Sequence, residues 1–217
     1  MVDKILSLSK TFWFNFRYLP FRKARFLPVW VRWNARIRIK GRIEIDCDKI
    51  NMAMIRIGFH KVPVCDERDT TSLIVHGTLV FCGTAHIGRG SKLYVGDSGI
   101  LRLGDNFAIS ASSSINCYKS IVFGRDIQFS WDCLVMDSDT HYIYGDDGLM
   151  NEDRAITFGD KVWIGCRSLI LKGCRIPSNT VIAAGTSVIG GGKKCLPNSV
   201  IGGCPAKSIK DIKSWEI

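Results

Sequence analysis

The sequence predicts an all-β solenoid built of triangular coils, and two superimposed periodicities predict it. From Phe158 onward every sixth residue is apolar: Phe158, Ile164, Ile170, Ile176, Ile182 and Val188. Four residues after each stands a small or β-branched one, namely Val162, Ser168, Cys174, Thr180, Thr186 and Gly192. An α-helix cannot hold a period of six on one face, and a simple strand repeats every two residues. Six residues supply one short strand and a corner. Three such units close a coil of about 18 residues, whose interior takes the aliphatic and the small positions.

The beat continues upstream with insertions. Leu103, Ile109 and Ile115 are six apart, and after a slip of two Phe123, Phe129 and Val135 resume the spacing. Val75, Phe81, Ile87 and Val95 keep a looser version, and Ile39, Ile45 and Ile57 a weaker start. Val135 and Phe158 are 23 positions apart where six would keep time, so about 17 residues leave the solenoid at one corner as a long loop, near 137–157. An open coil end exposes strand edges that pair with other chains. A tail broken by Pro205 therefore predicts a short helix capping the last coil. The expected division is a basic aromatic segment with short helices (1–42), a solenoid (43–203) and a C-terminal cap (204–217).

At 217 residues, 46% hydrophobic and 23% charged, the chain has ample length for a real core. No apolar run nears the roughly 20 residues that cross a bilayer. The start MVDKILSLSKTFWFNF has no small-residue cleavage site, so no secretory signal is expected and the cytoplasm is the expected location. Nine cysteines without a C-x-x-C pair read as small buried thiols of a reducing compartment, not as a zinc site or disulfide framework.

The net charge of +10 is concentrated at one end. Residues 1–42 carry 11 Lys/Arg against the single acid Asp3. Taken from totals of 30 basic and 20 acidic residues, that leaves 19 of each for the remainder, which is neutral. Interleaved with the cations are Phe12, Trp13, Phe14, Phe16, Tyr18, Phe21, Phe26, Trp30 and Trp33. Three readings are open: a helical cap whose aromatics close one end of the core, a contact with anionic lipid, or one with nucleic acid or a partner.

The stretch VWIGCRSLILKGCRIPSNTVIAAGTSVI (162–189), followed by LPNSVIGGCPAKSIK (196–210), resembles the left-handed parallel β-helix acyltransferases with hexapeptide repeats. The likeness covers about residues 73–212. It implies the left hand of the coil, which spacing does not fix. The run FGRDIQFSWDCLVMDSDTH (123–141) is similar to the sugar and xenobiotic O-acetyltransferase branch of that family. This resemblance implies acetyl-CoA as co-substrate, His141 as general base, no metal, and a homotrimer with acetyl-CoA between neighbouring prisms.

Acetyl transfer to a hydroxyl needs a base for the hydroxyl proton, donors for the thioester oxygen and cations for the CoA phosphates. An imidazole, with an ordinary pKa of about 6.5, suits the first role and typically contributes ~10²–10⁴ in rate. His141 is the only histidine in the loop; Asp139 and Asp137 are near enough in sequence to orient it, as is a backbone carbonyl. The resemblance sets Trp163, Cys166 and Ala184 along the CoA channel and Lys207 and Lys210 at its phosphates. Lys193 and Lys194 are further candidates, in a turn VIGGGKKC (188–195) about three residues longer than the family's. His60, His76 and His86 lack the H-x-x-x-x-H spacing of the zinc-dependent branch and read as surface or corner residues.

On the acceptor side, the asparagine cluster of galactoside and maltose enzymes is replaced by ISASSSINC (109–117). That leaves Ser110 and the displaced Asn116, with Trp131, as candidate acceptor residues. The N-terminal TFWFNFRYLPFRKARFLPVWV is similar to leaders of acetyltransferases assigned to bacterial surface-polysaccharide synthesis. This implies a capsule or O-antigen precursor as acceptor, lipid-linked at the cytoplasmic face of the inner membrane. It also implies a peripheral contact there through residues 1–42, and no nucleic acid. A xenobiotic (antibiotic) O-acetyltransferase and a non-catalytic solenoid scaffold are the alternatives.

Overall fold

In the computed structural model, which describes residues 2–59, 62, 63, 66, 68–190 and 196–216, the chain winds as a left-handed parallel β-helix with three flat faces. One face has nine strands: Val29–Val31, Ile55–Ile57, Ala85–Arg89, Phe107–Ala111, Ile127–Trp131, Val162–Ile164, Thr180–Ile182, Ser199–Gly203 and Ala206–Asp211. A second has seven, from Arg36–Ile39 to Ser187–Val188, and a third has six, from Arg42–Ile45 to Arg175–Ile176. The register is that of the six-residue beat. Val162 pairs with Thr180, 18 positions on, whereas Ile127 pairs with Val162, 35 positions on. The excess of 17 is the long loop, which leaves after Met136 and returns at Ile156.

Burial follows the beat. All six aliphatic positions from Phe158 to Val188 are in the core, as are Val162, Ser168, Cys174, Thr180 and Thr186; Gly192 lies outside the described residues. Phe107, Phe123, Phe129 and Phe158 fill the middle of the prism, with Phe123 and Phe158 stacked at 4.4 Å between centroids. Such ring pairs contribute about 0.5–1.5 kcal/mol beyond the area they bury. Two corner columns turn through single residues of positive φ: Asn106, Asp126, Lys161, Asn179 and Asn198 in one, Ser112, Asp132, Arg167 and Gly185 in the other. Asn and Asp tolerate that conformation best among residues with a Cβ, which accounts for their recurrence there.

Three helices, α1 (Val2–Leu6), α2 (Leu8–Tyr18) and α3 (Phe21–Ala24), cover the starting end. Among the described residues no strand lies outside the first one, Val29–Val31, and α2 with its N-cap Ser7 supplies the missing partners. Asn15 Nδ2 donates to the Val29 carbonyl at 2.7 Å, and its Oδ1 accepts the Val29 N–H at 3.1 Å. Thr11 Oγ1 accepts the Val31 N–H at 3.1 Å, and Ser7 Oγ accepts the Trp33 N–H at 3.0 Å. Four helical residues rise about 6 Å and two strand residues about 6.6 Å, so side chains four apart on a helix match amides two apart on a strand. This arrangement differs from a cap closed by aromatics. Phe14 enters the core, but Phe12, Trp13, Phe16, Phe21, Phe26 and Trp33 are exposed.

At the other end a strand stands where a capping helix is expected, and among the described residues no helix follows it. After Ser199–Gly203 the chain reverses at Cys204 and Pro205, and Ala206–Asp211 runs back antiparallel along it. A strand satisfies the edge N–H and C=O groups that a helix laid across the coil would leave open.

Replacing Asn15→Ala removes a donor and an acceptor from the starting edge and should lower the unfolding free energy by about 2 kcal/mol. Urea unfolding followed by tryptophan fluorescence checks this; an unchanged midpoint would mean that α2 does not hold the edge.

Candidate active site

The long loop departs from the corner between the seven- and six-strand faces, and a buried carboxylate secures that corner. Asp137 Oδ1 accepts the Tyr118 N–H at 2.7 Å, while Oδ2 accepts the Lys119 and Ser120 N–H groups at 2.9 and 2.7 Å. Those amides turn the corner of the neighbouring coil, whose Asn116 pairs with Met136. Asp137 is fully buried, ties two coils together and offers no oxygen to His141. Of the two aspartates expected beside the imidazole, this one is structural. Burial, followed by the Asp137 charge, pushes the adjacent Cys117 thiol up to about 12, so it stays protonated and unreactive.

Three residues after Asp137 the chain passes through Thr140 at φ 61°, a left-handed conformation that costs a residue with a Cβ roughly 1–2 kcal/mol. It leads into His141, which is exposed. His141 Nδ1 lies 3.4 Å from the Asp139 backbone carbonyl and 3.2 Å from Thr140 Oγ1. A carbonyl only accepts, so this pairing favours the proton on Nδ1 and leaves the lone pair on Nε2.

The Asp139 carboxylate is engaged elsewhere. Its Oδ2 accepts from Lys172 Nζ at 2.6 Å and from Asn151 Nδ2 at 2.9 Å. Asn151 also donates to the His141 carbonyl at 2.8 Å and accepts the Ile143 N–H at 2.7 Å, while Lys172 Nζ donates to the Asn151 carbonyl at 2.6 Å. The result is a clamp across both limbs of the loop. The Lys172 ammonium and then the Asn151 amide hold the Asp139 carboxyl below the 3.8 of an ordinary aspartate. A depressed folded pKa means that the clamp's contribution is complete above about 3.8 and is lost as pH falls through the lower folded value. The reading of the sequence does not reach Lys172 or Asn151. Lys172 follows from the register, since Met136 pairs with Leu171 and the next position faces Asp137. Asn151 lies in the loop, where no periodicity operates.

Trp163 stands exposed on the outside of the nine-strand face, with Nε1 donating to Ser130 Oγ at 3.2 Å. The register continues from Trp163 through Val181 and Val200 to Lys210, so Lys210 shares that surface, and Lys207 stands opposite Gly202. Trp131, Cys166 and Ala184 occupy one corner in consecutive coils. Arg167 N–H donates to the Trp131 carbonyl at 3.0 Å and Gly185 N–H to the Cys166 carbonyl at 2.8 Å. Gly185 has φ 70° and open space where a Cβ would stand, which leaves the backbone of this corner approachable. The tail adds a group that sequence reading missed: Trp215 lies 6.3 Å from Trp163 between centroids, with Nε1 donating to the Lys161 carbonyl at 2.9 Å. Lys193, Lys194 and His60 lie outside the described residues.

A single chain does not unite these groups. The Trp131–Cys166–Ala184 corner joins the nine- and seven-strand faces, whereas the His141 loop leaves from the other edge of the seven-strand face. Ser110, whose Oγ donates to the Phe129 carbonyl at 2.8 Å, is on the nine-strand face. Asn116 is on the seven-strand face, between Tyr94 and Met136. These two candidate acceptor residues therefore do not form one pocket within a chain. His76 Nδ1 lies 3.5 Å from the exposed Asp97. Among the described residues no group of three His, Cys, Asp or Glu is placed to hold a metal ion.

No family model matches the chain. Among curated proteins it is similar to the Escherichia coli (strain K12) protein named "Putative lipopolysaccharide biosynthesis O-acetyl transferase WbbJ", with 26% identity over 155 residues, 64% of this chain and 77% of that protein. Among solved structures it is similar to the polySia-specific acetyltransferase NeuO, at a TM-score of 0.56 and 19% identity, covering 86% of this chain and 74% of that one. The second likeness bears on the fold.

Lys172→Met should open the clamp while leaving the coils intact. Amide hydrogen exchange over residues 139–151 should accelerate at neutral pH, and wild-type protein should show the same acceleration only when acidified below the usual aspartate range. Unchanged exchange in the variant would mean that Lys172 does not hold the loop.

Proposed function

We propose that this chain is an acetyl-CoA-dependent O-acetyltransferase that modifies a sugar hydroxyl in a surface-polysaccharide precursor of the capsule or O-antigen type. The observation that carries the reading is His141, an exposed imidazole on a clamped loop, with Nδ1 turned to the Asp139 carbonyl and the lone pair on Nε2. The 26%-identical relative named for lipopolysaccharide O-acetyl transfer supports the reaction and the substrate class.

Acetyl-CoA, when bound, supplies the acyl group activated as a thioester. Trp163, Cys166 and Ala184 are the residues that would flank it, with Lys207 and Lys210 toward its phosphates; the open backbone at Gly185 fits a narrow thioester arm. His141 Nε2 takes the proton of the acceptor hydroxyl as its oxygen bonds to the acyl carbon. The ring keeps its Nδ1–H on the Asp139 carbonyl, then returns the proton from Nε2 to the departing sulfur and is neutral again. Asp139 serves the ring through its carbonyl, while its carboxylate holds the loop to Lys172 and Asn151.

The reading includes a homotrimer in the cytoplasm. His141 and the Cys166–Ala184 corner stand at opposite edges of one face, so a head-to-tail contact sets one copy's loop against the next copy's groove, and such contacts close into rings. Half-buried Leu134, Met136, Leu169 and Leu171 on the seven-strand face support this, as do exposed Tyr142, Ile143 and Tyr144 on the loop. The acceptor would be lipid-linked at the inner membrane, with residues 1–42 as a peripheral contact; among the described residues no helix is long and apolar enough to cross a membrane.

With acetyl-CoA and a panel of surface-glycan acceptors, release of free thiol should fall about 10²–10⁴-fold in His141→Ala while acetyl-CoA still binds. Undiminished transfer would remove His141 from the chemistry. Transfer confined to antibiotic acceptors would move the substrate class.

A further inference from the structure

Helix α2 carries its polarity inside out. Ser7, Thr11 and Asn15 face the protein, where they bond the edge strand. At 3.6 residues per turn the opposite side of α2 presents Trp13 and Phe16, flanked by Phe12, and Ile5 and Leu6 end α1 just before it; all five are exposed. The rings of Phe12 and Phe16 lie 6.4 Å apart and those of Phe16 and Phe21 6.2 Å apart, so the ridge runs unbroken into α3. A solvated helix shows the reverse pattern, and a contiguous exposed apolar ridge marks an interaction surface. Its rim is cationic. Arg17, Arg22 and Arg25 are exposed, the Arg25 guanidinium lies 4.6 Å over the Phe26 ring, and Arg17, Lys40 and Arg42 line a groove at the end of α2 that Glu44 also lines, three cations to one carboxylate. No Asp or Glu occurs between Asp3 and Glu44.

We infer that this ridge docks on an anionic phospholipid surface, with α2 in the plane of the interface, Trp13 and Phe16 below the headgroups, and the Arg17–Lys40–Arg42 groove against lipid phosphate. A second copy of the ridge would set arginine against arginine, whereas an anionic bilayer offers an apolar layer under a sheet of negative charge. Trp, Phe and Arg suit that boundary, since rings and guanidinium stems lie in the apolar zone while charged ends reach water. The inference rests on reading residues 1–42 as a membrane contact and is independent of acetyl transfer. In a ring of three parallel prisms all three ridges lie at the same end, so their contacts add.

The test is co-sedimentation of the full chain with phosphatidylcholine vesicles, pure or containing about a third phosphatidylglycerol. The chain should bind the anionic vesicles and release with salt, and Phe12→Ser/Trp13→Ser/Phe16→Ser should bind about ten-fold more weakly at an unchanged melting temperature. Arg17→Gln/Arg22→Gln/Arg25→Gln should lose the preference for phosphatidylglycerol. Acetylation of a water-soluble acceptor should persist in both variants, which separates loss of docking from failure of the catalytic reading. Wild-type protein that ignores anionic vesicles, or a serine variant that binds them equally, would overturn the inference. So would a change in assembly size on serine substitution, which would assign the ridge to another copy of the chain.

Discussion

Each coil of this solenoid pairs its backbone with the coil before it and the coil after it, and that requirement orders the rest of the molecule. In the interior the demand is met by identical register from coil to coil, which is why one aliphatic and one small residue every six positions suffice to fill the prism. At the ends there is no further coil, and two unrelated solutions appear. The finishing edge takes an antiparallel strand from its own tail, and the starting edge takes a helix whose side chains imitate a strand. The second solution turns the polar side of α2 inward and leaves its apolar side to find another partner.

The same register explains how the loop is tolerated. An insertion at a corner lengthens the path without shifting the strands, provided that the corner's own amides are satisfied. Asp137 does this with one carboxylate for three N–H groups, and the coils on either side keep their pairing. Above that anchor, Lys172 from the rigid prism and Asn151 from the returning limb fix the chain around His141. The chain around the imidazole is thus held both by the rigid prism and by the loop itself, the kind of preorganisation that the proposed proton transfer requires.

What could be read from the sequence follows from where periodicity operates. The interior column, the three-sided coil and the length of the loop were all legible, because each depends on a count of residues between aliphatic positions. The C-terminal strand was not, since Ala206–Asp211 reads as a short amphipathic segment in either conformation until its edge partner is known. Ser7, Thr11 and Asn15 are in sequence only three polar residues spaced by four, and the neighbouring strand gives that spacing its meaning. Of the candidate site residues, His141 was chosen by resemblance, and Asp139 and Asp137 by proximity. Their division of labour depended on which backbone amides lay one coil away. Asn151 could be found only from coordinates, for nothing in the loop repeats.

The central claim is that the imidazole of one copy works at the groove of the next. Mixing two separately inactive chains tests it most directly: His141→Ala, which keeps the groove, and Ala184→Trp, which keeps the imidazole but obstructs the Cys166–Ala184 corner. In a head-to-tail ring every mixed assembly contains one junction with an intact imidazole facing an intact groove. Co-refolded chains should therefore regain thiol release from acetyl-CoA that neither chain shows alone. A mixture that assembles into mixed rings yet stays as inactive as its components would contradict the account.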